Sequence, residues 1–266
     1  MPFERLHEPN RHPMTRRRFL TLALAAAPSI SLANAVALEP AWLKVSRVAL
    51  PSPGPPCRFV HISDLHHRGD VGFTDHILAT IRNERPQFVC FSGDLVETRD
   101  RLAQALEFIR AMGIPVFGVP GNHDHLSSGS FQSHQRAFAA TGGAWLMNQS
   151  ILTPDRSTEI VGLDGFPSPF PLSPLRTPRR IVITHYPAVA DTLPGERSTV
   201  VLAGHSHGGQ VRLPFIGPLF LPGGVGRYDR GLFATRSGPL YVNAGLGTSM
   251  VQVRFNCRPE ITVIEL

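Results

Sequence analysis

Five short clusters of histidine, aspartate and asparagine recur along a 266-residue chain: Asp64-Leu65-His66, Gly93-Asp94, Gly121-Asn122-His123-Asp124, Thr184-His185 and Gly204-His205-Ser206-His207. Together they supply the carboxylate, amide-carbonyl and imidazole groups needed to hold two metal ions. No cysteine falls within any cluster, and this mixture of hard oxygen and borderline nitrogen donors favours Mn, Fe or Zn over Ca or a thiolate zinc site. Two such ions about 3.5–4 Å apart can generate a hydroxide at neutral pH and clamp an in-line displacement at phosphorus. That chemistry needs no nucleophilic side chain, and no serine or cysteine nucleophile motif is evident in the sequence.

Each cluster follows a run of β-formers, at residues 58–63, 87–92, 114–119, 180–183 and 199–203. All five should therefore gather at the carboxyl edge of the strands, where sites in α/β proteins belong. Asp64, Asp94 and Asp124 are spaced 30 residues apart, matching the roughly 30-residue length of successive βα units. Residues 74–84 and 100–112 have helical apolar spacing, with Ile77, Leu78 and Ile81 on one face of the first and Leu102, Leu106 and Ile109 on one face of the second. Five prolines between residues 166 and 178 exclude a regular element there. After Gly209, strands are predicted at 210–213, 240–243 and 260–266.

The ordered set DxH, GDxxD, GNHD, H and GHxH resembles the calcineurin-like metallophosphoesterase superfamily, over the chain from about Phe59 to the C-terminus. With the strand pattern, the resemblance implies an α/β fold: a four-layer αββα sandwich of two mixed sheets flanked by helices. It also implies a metal-dependent phosphohydrolase. Asp64, His66 and His207 would hold one divalent ion, Asn122, His185 and His205 the other, and Asp94 would bridge them. His123 would contact the phosphoryl oxygen or protonate the leaving group, with Asp124 orienting its ring. Glu97 occupies the last position of GDxxD, where the pattern has Asp; that position is outside the implied ligand set, so the departure bears on loop support.

The same residues have plainer readings. Asp64, Asp94 and Asp124 could be turn or helix-capping residues, and His185 taken alone could be structural. His67 and His125 adjoin ligands and read as substrate-facing or exposed, His61 as a packed strand histidine, and His76 and His134 as ordinary helix residues. Arg227, Tyr228 and Arg230 could grip a phosphate, although solvated loop residues are the simpler reading. A disulfide between Cys57 and Cys257 is open to an exported chain, and zinc spacing is absent.

The N-terminus carries a second signal. Thr15-Arg16-Arg17-Arg18-Phe19-Leu20 matches a twin-arginine export motif, followed by an apolar run at 20–27 and the small-residue site Ala33-Asn34-Ala35. Residues 1–35 read as a removable leader, an uncleaved anchor being the alternative. Residues 36–56 read as a linker or short edge strand, and 57–266 as the metallophosphoesterase domain. The expectation is export through the twin-arginine machinery to the periplasm or the outer face of the cell membrane. The formal charge of +6 falls to about +3 when the leader's five arginines and two glutamates are removed. No basic run survives, which argues against a nucleic-acid groove.

The apolar run Leu213-Pro214-Phe215-Ile216-Gly217-Pro218-Leu219-Phe220-Leu221 directly follows the last cluster. It either faces a lipid or packs beneath the loops of the second sheet. Resemblance to the exported, membrane-associated branch of the superfamily, carried also by residues 241–247 and 258–261, implies a monomer acting on a lipid-linked or nucleotide-lipid phosphoester, with peripheral membrane contact. An exported phosphomonoesterase and a non-catalytic metal-bound binding protein are the competing readings, although none of the seven implied ligands is missing. A metalloprotease or amidase is disfavoured by the absence of a His-Glu-x-x-His helix.

Overall fold

Strands that end at a buried site must themselves be buried on both faces, and their sequences show it. In β2 (Arg58–Ile62), β3 (Val89–Phe91) and β4 (Val116–Gly118), Phe59, Cys90 and Phe117 point into one apolar cluster, while Val60, Ile62, Val89, Phe91 and Val116 point into another. The two-residue alternation of a strand is thus filled with apolar groups in both directions. The same holds for β7 (Thr158–Leu163), β8 (Arg179–Thr184) and β9 (Val200–Ala203), where Ile160, Ile181, Ile183 and Leu202 face inward and Val161, Val182 and Val201 outward.

The computed structural model describes residues 32–165, 172, 174–195 and 198–266. The twin-arginine motif and apolar run lie outside the described residues, as does most of the proline-rich stretch after Gly165. Two six-stranded mixed sheets pack face to face. The first has the order β1 (Lys44–Ala49), β14 (Glu260–Glu265), β2, β3, β4, β5 (Ala144–Trp145). The second has the order β12 (Gly231–Thr235), β13 (Gly238–Val242), β9, β8, β7, β6 (Gln149–Leu152). β2 to β5 run parallel, as do β7, β8, β9 and β13, so the chemically loaded loops leave both sheets at the same end.

Helices α1 (Val71–Glu84), α2 (Leu102–Arg110) and α3 (Gln132–Ala139) contribute Ile77, Ile81, Leu106, Ile109 and Phe138 to the cluster on the first sheet's outer face. α1 starts three residues earlier than its apolar spacing predicts because the Asp70 side chain caps it, accepting from Phe73 N at 2.9 Å. The outer face of the second sheet is covered among the described residues by the 3-10 turn Pro187–Asp191 and by Tyr228, Leu193 and Leu172. Among the described residues the αββα sandwich is therefore thinner on this side.

The segment read as linker or edge strand resolves in favour of the strand. β1 pairs in parallel with β14 from Lys44 to Ala49, so part of the stretch 36–56 is built into the first sheet. The apolar run after His207 contains only the short hairpin β10 (Arg212–Leu213) and β11 (Gly217–Pro218). Cys57, Cys90 and Cys257 are all buried and free, so no disulfide forms.

Asn243 ties the two sheets together just behind the site. Its buried amide donates to the His61 and Glu260 carbonyls, each at 3.3 Å, and to Thr262 Oγ1 at 3.0 Å, and its oxygen accepts from Gly245 N at 2.8 Å. The two amide N–H groups are shared among three acceptors and the oxygen takes one donor, which makes the contact costly to disturb.

His134 is a buried polar residue without such support. Its ring packs between Phe131 and Trp145, neither nitrogen has a hydrogen-bond partner, and burial lowers its pKa to about 4. The unfolded chain takes up this proton below about pH 6.5, whereas the folded protein resists it until about pH 4, so His134 withdraws stability as pH falls through that window. His134→Phe should therefore raise the urea midpoint more at pH 5 than at pH 8. An equal gain at both values would contradict the assignment.

Candidate metal centre

The backbone at the strand ends bends sharply to aim its side chains inward. Asp64, His66, Asp94, His205 and His207 all have φ between 41° and 65°, a left-handed conformation that non-glycine residues adopt at a cost of order 1 kcal/mol or more. Neighbouring loops hold these turns in place: Asp64 N donates to Gly93 O at 2.9 Å, His66 N to Asp94 O at 3.1 Å, and Gly247 N to Asp64 O at 2.7 Å. Gly93, at φ 98°, allows a close approach. A Cβ there would lie 2.7 Å from both Gly121 N and His185 Nδ1.

The side chains converge on two adjoining sets of donors. His66 Nε2 lies 3.1 Å from His207 Nε2 and 3.4 Å from Asp94 Oδ2, and His207 Nε2 lies 3.4 Å from Asp64 Oδ1. In the second set, His185 Nε2 lies 3.0 Å from Asn122 Oδ1, 3.1 Å from His205 Nδ1 and 3.4 Å from Asp94 Oδ2. Asp94 Oδ2 belongs to both. Donors bonded to one ion at about 2.0–2.1 Å stand about 3.0–3.4 Å from one another in octahedral or tetrahedral arrangement, so the observed spacing fits a divalent cation in each set. Asp64, His66 and His207, likewise Asp94, His185 and His205, and also His66, Asp94 and His123, each form a triad of donor atoms within 4.8 Å.

Groups behind the donors fix the ring orientations. His185 Nδ1 is 2.8 Å from Ser92 O, His205 Nε2 is 2.7 Å from Gly223 O, and His66 Nδ1 is 2.6 Å from Glu97 Oε2. Each of these rings is thereby turned so that its other nitrogen faces the centre, the arrangement that metal-binding histidines require.

Electrostatics among the protein groups points the same way. Burial disfavours charge on His66, yet the carboxylates of Asp94 and Glu97 overcome it and raise its pKa to about 10. His185 rises to about 9 against burial through Asp94 and Asp64. Asp94 is correspondingly held well below the usual carboxylate range, its desolvation outweighed by His185 and His66. Burial lowers His205 to about 4, helped by His185. The centre thus attracts positive charge, and an entering cation must displace the protons on His66 and His185.

His123 is half-buried at the edge of a cavity of about 210 Å³ that Asp94, Asn122, His205 and His207 also line. Its ring stands edge-on to His66 with centroids 4.8 Å apart, and its Nδ1 lies 3.6 Å from Glu97 Oε2. Asp124 does not orient this ring. Its two oxygens instead accept from Asp94 N, Leu95 N and Gly121 N at 2.8–2.9 Å, clamping the loops after β3 and β4. Burial and the Asp94 charge push its pKa up to about 7 against the pull of the Gly121 and Leu95 N–H groups.

Glu97 is thus the supporting carboxylate, and its longer side chain reaches both His66 and His123. Arg254 was also silent in the sequence. Fully buried, it donates to the carbonyls of Ala244, Gly245, Gly247 and Cys257, shaping the loop that receives Asp64. Of the other histidines, His67 is buried, not exposed, and its backbone N–H donates to Leu95 O at 3.0 Å. His125 is exposed and meets Asp164 at 2.7 Å, and His61 is packed, with burial lowering its pKa to about 3. Tyr228 donates to Asp191, Arg227 to the Tyr228 hydroxyl, and Arg230 to Asn256 O, so these three act as loop structure.

Removing the Glu97 carboxylate frees the His66 ring. Glu97→Ala should weaken metal retention by roughly 10- to 100-fold, measured as metal content after dialysis against graded chelator. Retention equal to the native chain would show that Glu97 does not support the centre.

Residues 57–209 match the family model for calcineurin-like phosphoesterase. The chain is 30% identical to phosphodiesterase YaeI of Escherichia coli, over 95% of this chain and 99% of that one. It is 30% identical to the metallophosphoesterase YkuE of Bacillus subtilis, over 95% and 98% respectively. With UDP-2,3-diacylglucosamine pyrophosphatase LpxG of Chlamydia trachomatis it shares 28% identity, over 91% of this chain and 94% of the relative. Donor geometry and sequence matches agree that the chain belongs to the calcineurin-like phosphoesterase family and is a metal-dependent phosphohydrolase.

Proposed function

We propose that the enzyme is a phosphodiesterase or pyrophosphatase whose substrate is lipid-linked or a nucleotide-lipid phosphoester. The observation that carries this reading is the two-sided character of the cavity. One wall is the donor set around Asp94. The other includes Phe220, Pro222 and Met250, apolar groups suited to a hydrocarbon substituent beside the phosphorus. The names of two relatives, a phosphodiesterase and a diacylglucosamine pyrophosphatase, support the same class.

In this reading Asp64, His66 and His207 hold one divalent ion, Asn122, His185 and His205 hold the other, and Asp94 is shared. The donor set suits Mn, Fe or Zn. Two such ions supply charge neutralisation at the phosphoryl group and an activated water at neutral pH. His123 forms a donor triad with His66 and Asp94 but lies outside the two sets assigned to the ions; at the cavity edge it would donate a hydrogen bond to a phosphoryl or departing oxygen. Glu97 steadies that ring from behind. Asp124 holds the loops that carry Asp94 and Asn122 in register.

Turnover of bis-p-nitrophenyl phosphate should exceed that of p-nitrophenyl phosphate, and a chelator should abolish both. Faster hydrolysis of the monoester would favour a phosphomonoesterase, and two bound metals without turnover of either would favour a binding protein.

His123→Asn should lower kcat by roughly 10² to 10⁴ while two metals remain bound, with the loss shrinking for diesters of acidic leaving groups. Loss of metal from the variant would assign His123 to the ligand set.

A further inference from the structure

The hairpin between β10 and β11 ends in two bare apolar side chains. Phe215 is 110% exposed and Ile216 74%, and Leu219 and Phe220 continue the exposed surface along the same segment. This corrects the alternative that the apolar run packs beneath the second sheet. The hairpin satisfies its own backbone, since Ile216 N donates to Leu213 O and Leu219 N to Val211 O. Its tip can therefore leave water without carrying those N–H groups unpaired.

Two further exposed apolar groups are tied to this hairpin. Met250 and Val251 stand on the adjacent loop, which Gln210 joins to the hairpin stem by accepting from Ser249 N at 2.6 Å and donating to Ser249 O at 3.1 Å. Leu32, Val36 and Leu38 lie on the N-terminal segment, which Arg254 N fastens to the same loop by donating to Ala35 O at 2.9 Å. Exposed apolar groups gathered on one side of a protein mark a contact surface.

We propose that this surface docks on a lipid bilayer and sets the mouth of the metal cavity against the lipid–water boundary. One feature favours a bilayer over a protein partner. The apolar surface is continuous with the site, because Phe220 and Met250 belong to the cavity wall as well as to the exposed set. Among the described residues no helix is long and apolar enough to cross a membrane. The inference rests on the lipid-linked reading for its purpose, and on the exposed side chains for its geometry.

Co-sedimentation of the metal-loaded full chain with phosphatidylcholine vesicles, with and without phosphatidylglycerol, tests the docking. The native chain should partition onto vesicles, and a Phe215→Ser, Ile216→Ser double variant should lose at least about tenfold of that partitioning, with unchanged turnover of soluble bis-p-nitrophenyl phosphate. The N-terminal residues are common to both proteins, so the difference reports on the hairpin. A Phe215→Trp variant should shift its emission to the blue on vesicle addition, which keeps the test open if the double variant misfolds. Equal partitioning of native and double variant, unshifted emission, or concentration-dependent self-association of the native chain in place of vesicle binding would overturn the proposal. Absence of diester turnover with vesicle binding intact would instead sink the phosphodiesterase reading alone.

Discussion

Everything in this fold serves the crowding of like-charged and competing polar groups into a space shielded from water. Asp64, Asp94 and Asp124 are fully or almost fully buried within one small region, beside His66, His185 and His207. Unpaired, such carboxylates would be expelled or protonated. They persist because every loop around them is hydrogen-bonded to another: the turn after β2 to the turn after β3, that turn to the loop after β4 through Asp124, and the loop after β13 to Asp64. Parallel strands buried on both faces give these loops a common origin. The left-handed backbone at five donor positions is what that enforced convergence costs locally.

The donors were legible in the sequence because each sits in a short motif whose chemistry and strand context are local. Their supports were less so. Glu97 stood at a recognised motif position, but only the folded chain shows that its added methylene brings the carboxylate to His66 Nδ1. Arg254 and the Gly223 carbonyl act across stretches that no periodicity links. Asp124 was legible as a functional position but not in its role, since a side chain three residues into a turn can face forward to the next ring or back to the preceding backbone. Strand alternation and helix spacing placed most of the sandwich, whereas β1 was ambiguous because its half-exposed edge pattern resembles a linker. The apolar run after His207 was ambiguous for another reason: hydrophobicity does not encode exposure.

The two walls of the cavity have different origins in the chain. The donor wall comes from rigid strand ends in both sheets. The apolar wall comes from loops and a two-residue-paired hairpin attached to the second sheet by a handful of polar contacts. None of the seven donor side chains lies on the β10–β11 hairpin, and the segment meets the donor set through the Gly223 carbonyl behind His205 and the Gln210 N–H on His207 O. The same metal centre can thus be combined with different mouths.

The clamp formed by Asp124 has a consequence for how functional positions are inferred. This carboxylate touches three backbone N–H groups and sits behind the reacting space, yet it fixes the relative placement of Asp94 and Asn122. In a comparison of variants, its loss would resemble the loss of a group that contacts substrate, because both donor sets would shift together. Invariance and lost turnover at such a position report a keystone in the backbone, and chemical participation has to be read from distances.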